Sequence, residues 1–124
     1  MLKVIIADDS ALIRERIKNE IKLFHEVIVC GEASNGKEAL EMIIKINPDL
    51  VILDIRMPEM NGIEVLEKIR DLHIKTKVCI LTNYPYSQYK KMCLEKRVDY
   101  FIHKTEDFKK LKIVIADELN RINN

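Results

Sequence analysis

The sequence predicts an α/β domain, a five-stranded parallel sheet covered on both faces by five helices. Three observations carry this reading. Short β-rich apolar runs alternate with amphipathic segments along the 124 residues. The third run, Leu50-Val51-Ile52-Leu53, is apolar on consecutive positions, as a central strand buried on both faces should be. The segments between runs repeat apolar residues at helical spacing. Such alternation implies right-handed crossovers. Among small doubly wound folds it favours the strand order 2-1-3-4-5.

The elements follow in order. Lys3 to Ala7 reads as the first strand. Ile13, Ile17, Ile21 and Phe24 mark a first helix over about Ser10 to Phe24. Val27 to Ala33 is the second strand. Asn35 with Glu38 three residues later resembles a capping box. It opens a helix through Leu40, Ile43 and Ile46 that Asn47-Pro48 stops. After the third strand, residues 54–61 form a loop, and Ile63, Leu66, Ile69 and Leu72 give a third helix. Val78 to Leu81 is the fourth strand, followed by a weakly apolar helix over about Ser87 to Lys96. Tyr100 to Ile102 is a short fifth strand. The last helix is expected over about Glu106 to Ile122, with Phe108, Leu111, Ile115, Leu119 and Ile122 on one face.

Composition narrows the class. With 48% hydrophobic and 33% charged residues, the chain has an ordinary globular mix. A net charge of +1 gives no general pull toward nucleic acid or membrane. Cys30, Cys79 and Cys93 are odd in number and lack metal or redox spacing, so reduced thiols are expected, with Cys30 and Cys79 buried. The apolar run after Lys3 is too short for a signal-peptide core, and no stretch is long enough to cross a bilayer. The expectation is a single cytoplasmic domain over residues 1–124 with no output domain.

In open α/β sheets, ligands bind beyond the carboxyl ends of the strands. The residues there are Asp8 and Asp9 after the first strand, Asp54 after the third, Thr82 after the fourth and Lys104 after the fifth. Three converging carboxylates repel unless a cation or protons compensate. An oxygen-only set suits Mg²⁺, which could neutralise charge during phosphoryl transfer. Aspartate can be the covalent nucleophile, Lys104 a point charge on a phosphoryl oxygen, and Thr82 a donor to another. Singly, each residue has a plainer role: Asp8-Asp9 favours a helix start, and Thr82 and Lys104 suit a loop and a surface. It is the conjunction of four strand ends that points to chemistry.

Four motifs resemble the receiver domains of two-component response regulators. They are Ala7-Asp8-Asp9-Ser10, the run from Asp54-Ile55-Arg56-Met57-Pro58 to Gly62, Leu81-Thr82, and Tyr100-Phe101-Ile102-His103-Lys104. The resemblance spans essentially the whole chain and implies a flavodoxin-like fold like that of the chemotaxis regulators. It implies that Asp54 is the phosphoacceptor. It also implies that Asp8, Asp9, Asp54 and the backbone carbonyl of Arg56 bind Mg²⁺, and that Thr82 and Lys104 hold phosphoryl oxygens. Thr82 and Phe101 would then switch the face formed by the fourth helix, fifth strand and fifth helix. The implied partners are a sensor histidine kinase or a histidine phosphotransfer protein, docking near Ala11, Leu12 and Arg14, and a downstream protein target.

The chain departs from the family pattern at several positions. Thr105 follows Lys104 where proline is usual. A cis bond there would cost roughly 3 kcal/mol, which speaks against that geometry. Asn83 stands where a small residue is usual, Arg97-Val98 where Gly-Ala is common, and Phe101 lacks a hydroxyl. Arg56 and Tyr84 are expected to overhang the site and shield an acyl phosphate, or else to face solvent. Lysines on the last two helices read as solvated faces, or as a surface for an acidic partner or a homodimer. No motif for direct nucleic-acid readout is present.

Three other functions compete. A flavodoxin-like cofactor binder would want a glycine-bearing phosphate cradle after the first strand, where this chain is acidic. A haloacid-dehalogenase-type phosphatase would want a D-x-D motif there. A degenerate receiver would be a phosphorylation-independent binding module, which the complete set of Asp9, Asp54, Thr82 and Lys104 opposes. The leading reading is a switch that catalyses only its own phosphotransfer and dephosphorylation.

Overall fold

The computed structural model describes residues 1–83 and 87–124. Its elements are β1 (Leu2–Ala7), α1 (Ala11–Ile21), β2 (Val27–Ala33), α2 (Gly36–Ile46), β3 (Leu50–Leu53), α3 (Gly62–Asp71), β4 (Lys77–Thr82), α4 (Ser87–Glu95), β5 (Tyr100–His103), a 3₁₀ turn (Phe108–Lys110) and α5 (Leu111–Asn123). The sheet has the expected order β2-β1-β3-β4-β5, with every pair parallel.

Strand alternation divides the core into two layers. Leu2, Val4 and Ile6 of β1, Leu50 and Ile52 of β3, and Cys79 and Leu81 of β4 face α1 and α5, where they meet Ile17, Ile21, Leu111, Val114 and Ile115. Ile5 and Ala7, Val51 and Leu53, and Val78 and Ile80 face the other way, toward Ala39, Ile43, Val65, Leu66, Ile69 and Cys93 of α2, α3 and α4. The three central strands are buried along almost their whole length, so consecutive apolar residues were the right signal for them.

Local chemistry sets the boundaries. Ser10 caps α1, accepting from Ile13 N–H at 3.3 Å. Asn35 caps α2, accepting from Glu38 N–H at 2.8 Å, but Glu38 reaches back to Ser34 N–H rather than to Asn35, so the expected box is only half formed. The complete reciprocal box is at Asn61 and Glu64, opening α3. Asn47 closes α2 in the left-handed region, with φ of 55°.

The last helix differs most from expectation. Phe108 starts a 3₁₀ turn instead of sitting inside an α-helix, and regular α5 begins at Leu111. Phe108 is buried, and the Arg16 guanidinium lies 4.0 Å from its ring centroid. This anchor holds the chain in a tighter turn before the helix proper.

His73 and Arg97, which close α3 and α4, also take left-handed backbone with φ of 56° and 60°. Side-chain-bearing residues pay about 1–2 kcal/mol there. Arg97 thus closes its helix without the glycine common at that place. No peptide bond among the described residues is cis, that before Thr105 included. All three cysteines are free; Cys79 and Cys93 are buried and Cys30, expected inside, is only partly so. Burial pushes the Cys93 thiol up to about 11, which keeps it protonated and unreactive.

Candidate functional site

Strand register assembles the site. Ala7 of β1 pairs with Leu53 of β3, so the next residues, Asp8 and Asp54, emerge side by side at the carboxyl edge of the sheet. Thr82 ends β4 and pairs with His103 at the end of β5, which puts Lys104 one step beyond. Backbone hydrogen bonds fasten this edge. Asp54 N–H donates to the Ala7 carbonyl at 3.0 Å, Asp8 N–H to that of Ala33 at 3.1 Å, and Lys104 N–H to that of Thr82 at 2.8 Å.

Lys104 Nζ lies between two carboxylates, 2.7 Å from Asp8 Oδ2 and 3.0 Å from Asp54 Oδ2. All three side chains are buried, with Asp8 2%, Asp54 5% and Lys104 6% exposed. The other oxygens are also engaged: Asp8 Oδ1 accepts from Ser10 N–H at 2.9 Å, and Asp54 Oδ1 from Ile55 N–H at 2.8 Å. Asp9 is exposed, and one carboxylate oxygen each of Asp8, Asp9 and Asp54 lies within 4.8 Å of the others. Three carboxylates thus face one ammonium.

That imbalance shows in the protonation. Burial pushes the Asp54 carboxyl above the usual carboxylate range; Lys104 only partly offsets this, and Asp8 adds to it. Burial alone would lower the Lys104 ammonium, but the two carboxylates outweigh it and hold Lys104 above its ordinary value.

Thr82 is fully buried at the end of β4. Phe101 pairs with Ile80 in register and packs, partly exposed, on the layer beneath α2, α3 and α4. Arg56 follows Asp54 by two residues with its side chain exposed. Tyr84 lies outside the described residues. Asp8, Asp9, Asp54 and Lys104 are therefore brought together as the strand ends implied.

Three supporting features escaped sequence reasoning. Arg14 on α1 donates from Nη1 to the Asp8 carbonyl at 2.7 Å and from Nε to Glu32 Oε1 at 3.1 Å, while Lys18 holds the other Glu32 oxygen at 2.8 Å. This clamp fixes the acidic loop from behind. We expect Arg14→Ala to cost about 1.5–3 kcal/mol, the range for hydrogen bonds to charged groups, measured by urea unfolding; a loss well under that would mean the clamp is slack. Second, two of the three glycines stand where the backbone passes too close for a Cβ: Gly36 against the Met60 carbonyl and Gly62 against that of Asp54. In a chain with so few glycines, each Asn-Gly pair was a signal for such an approach. Third, Thr105 and Asn83, both departures from the family pattern, bond to each other at 3.0 Å and tie the loop after β5 to the end of β4.

A doubly wound parallel sheet with an acidic cluster and a lysine at its carboxyl edge defines a class of signalling domain, and comparison with known proteins places the chain within it. Residues 4–116 match the response regulator receiver domain, and the chain belongs to that family. It is 30% identical over 101 residues to the nitrate/nitrite response regulator protein NarL of Escherichia coli, covering 82% of this chain and 47% of NarL. It superposes on a DNA-binding response regulator of the LuxR family from Staphylococcus aureus with a TM-score of 0.87 and 33% identity, covering all of both chains. It also superposes on a chain of the CheX-CheY-BeF3-Mg²⁺ complex from Borrelia burgdorferi, with a TM-score of 0.81 and 26% identity, covering 99% of this chain and 90% of that one. The chain spans about half the length of the transcriptional regulators it matches, such as NarL at 47%. Among the described residues, no helix is long and apolar enough to cross a membrane.

Proposed function

We propose that this receiver domain is a phosphorylation-dependent switch that accepts a phosphoryl group on Asp54. The observation that carries the reading is the seating of Lys104 between Asp8 and Asp54, with Asp9 completing an oxygen-only cluster. Three clustered carboxylates with one lysine suit a hard divalent cation. Asp8, Asp9, Asp54 and the Arg56 carbonyl would hold Mg²⁺. When bound, it supplies charge neutralisation at the phosphoryl oxygens. The Borrelia burgdorferi complex, which contains BeF3 and Mg²⁺, supports the same assignment by likeness.

The chain's own groups have separate tasks. An Asp54 carboxylate oxygen attacks phosphorus, forming an O–P bond. The P–N bond of a phosphohistidine on the kinase or phosphotransfer protein breaks, and its electron pair stays on the imidazole nitrogen. Lys104 exchanges its carboxylate contact for a phosphoryl oxygen, and the Thr82 hydroxyl donates to another. With Thr82 drawn toward the phosphoryl group, Phe101 turns inward, and the face of α4, β5 and α5 changes for a downstream protein or a second copy of the chain. A local charge event thus biases a two-state element. The reading places the protein in the cytoplasm, acting on no free substrate, with residues 1–124 as one receiver unit.

Intact mass after incubation with Mg²⁺ and a small phosphodonor tests this. A single phosphate-sized gain is expected that needs Mg²⁺ and disappears in Asp54→Ala. No gain with any donor would reject the switch in favour of a phosphorylation-independent binding module.

A further inference from the structure

A second concave site lies at the opposite edge of the sheet, where β4 and β5 begin. It is a cleft of about 500 Å³ lined by Arg70, His73, Lys75, Lys77, Arg97 and Arg121, with Ile74 and Asp99. Its volume falls in the range of small-ligand sites, but its walls are cationic rather than apolar. Five permanent cations stand against three carboxylates, Asp99, Glu118 and Asp49. Asp99 pairs with Arg70 at 2.8 Å and Lys77 at 3.6 Å, and buried Glu118 pairs with Arg121 at 2.6 Å. With Asp49 also acting on Arg121, an excess of two positive charges remains.

The walls are fixed. Arg70 donates to the Asp99 carboxylate and to the Arg97 carbonyl, each at 2.8 Å, and Asp99 also accepts from Val78 N–H at 2.8 Å. This knot joins the ends of α3 and α4 to the start of β4. Lys75 and Arg97 are exposed at the cleft, and neither makes a side-chain ion pair or hydrogen bond among the described residues. Arg97 and His73 both reach the cleft from left-handed backbone.

We infer that this cleft binds a small oligophosphate group of the kind carried by nucleotides. Three guanidinium groups and two ammonium groups around a compact concavity match a ligand with several oxygens and two or more negative charges. An extended acidic peptide would want a long groove instead. The site is remote from Asp54, and its occupation does not depend on the phosphotransfer proposed above.

Calorimetric titration of the full chain with pyrophosphate, at low salt with EDTA present, tests the inference. One equivalent should bind, and the affinity should fall with added salt. Amide shifts should gather in residues 70–77 and 97–99. The double variant Lys75→Ala/Arg97→Gly keeps the Arg70–Asp99 knot and relieves the backbone at position 97. It should melt no lower than the wild type, yet bind about tenfold more weakly. A hexaglutamate peptide should bind less well than pyrophosphate. Absence of binding, unchanged affinity in the variant, equal affinity for the peptide, or shifts gathered around Asp54 would each overturn the proposal.

Discussion

Replacing Lys104 with methionine should destabilise the domain by about 3–5 kcal/mol at neutral pH, the cost of breaking a buried pair from one side. The side chain is 7% exposed and bonds two carboxylates that are 3% and 6% exposed. Its removal leaves Asp8 and Asp54 facing each other with no counter-charge. The pH dependence has a defined sign. Burial already raises the Asp54 carboxyl above the usual range, and loss of Lys104 raises it further. A carboxyl with a raised folded value takes up its proton in the folded state first. The deficit should therefore be full above that value and shrink as pH falls through it. The wild type should show the converse at the alkaline end. The folded Lys104 value lies above the ordinary 10.5, so its contribution is complete below 10.5 and is lost as pH rises through the folded value. Urea unfolding of both proteins from mildly acid to alkaline pH measures this. A deficit that does not shrink with acid would mean that packing, not charge, is what Lys104 supplies.

Mg²⁺ should narrow the same deficit. A cation bound only by the folded state stabilises it by mass action, and the variant has one positive charge fewer at the carboxylates. The Mg²⁺-dependent rise in melting temperature should thus be larger for Lys104→Met than for the wild type, without any phosphodonor. An equal rise would place the metal's contribution elsewhere.

The fold was legible because its signals are local and redundant. Leu50 to Leu53 is apolar throughout because both faces of β3 are covered, and every helix but the weakly apolar α4 shows its stripe. Strand order and register then carried Asp8, Asp54 and Lys104 to one edge without further information. What stayed hidden depends on contacts between distant segments. Nothing near Phe108 shows that Arg16 will stack on it and delay α5. Glu38 and Glu64 stand in the same spacing to an asparagine, yet only Glu64 reaches back to its own cap, while Glu38 accepts from Ser34 N–H. The Arg14 clamp needs Glu32 from β2, and the basic cleft needs the ends of three helices, α3, α4 and α5. Thr105 and Asn83 each looked like an isolated departure, and only the structure shows them as one hydrogen-bonded pair.

Gly62→Ala should be among the most damaging single substitutions in the chain, although it adds only one methyl group. Gly62 is the first residue of α3, and its N–H donates to the Ile55 carbonyl at 2.8 Å. A Cβ there would overlap the Asp54 carbonyl oxygen and lie 2.9 Å from its carbon and 3.1 Å from Ile55 Cα. These atoms are backbone, so no rotamer change relieves the clash. Either α3 lifts away from the sheet or the end of β3 moves. The first breaks the packing of Ile63, Leu66 and Ile69 on a close-packed layer. The second displaces Asp54 from Lys104. Overpacking usually costs about 1–3 kcal/mol, and a clash against backbone on two segments should reach or exceed the upper end. Urea unfolding measures that loss. Intact-mass phosphorylation of the fraction still folded separates the two responses. Slowed labelling of Asp54 in folded protein would show that the strand end yields, and undiminished labelling that the helix does. A variant as stable as the wild type would contradict the close approach itself.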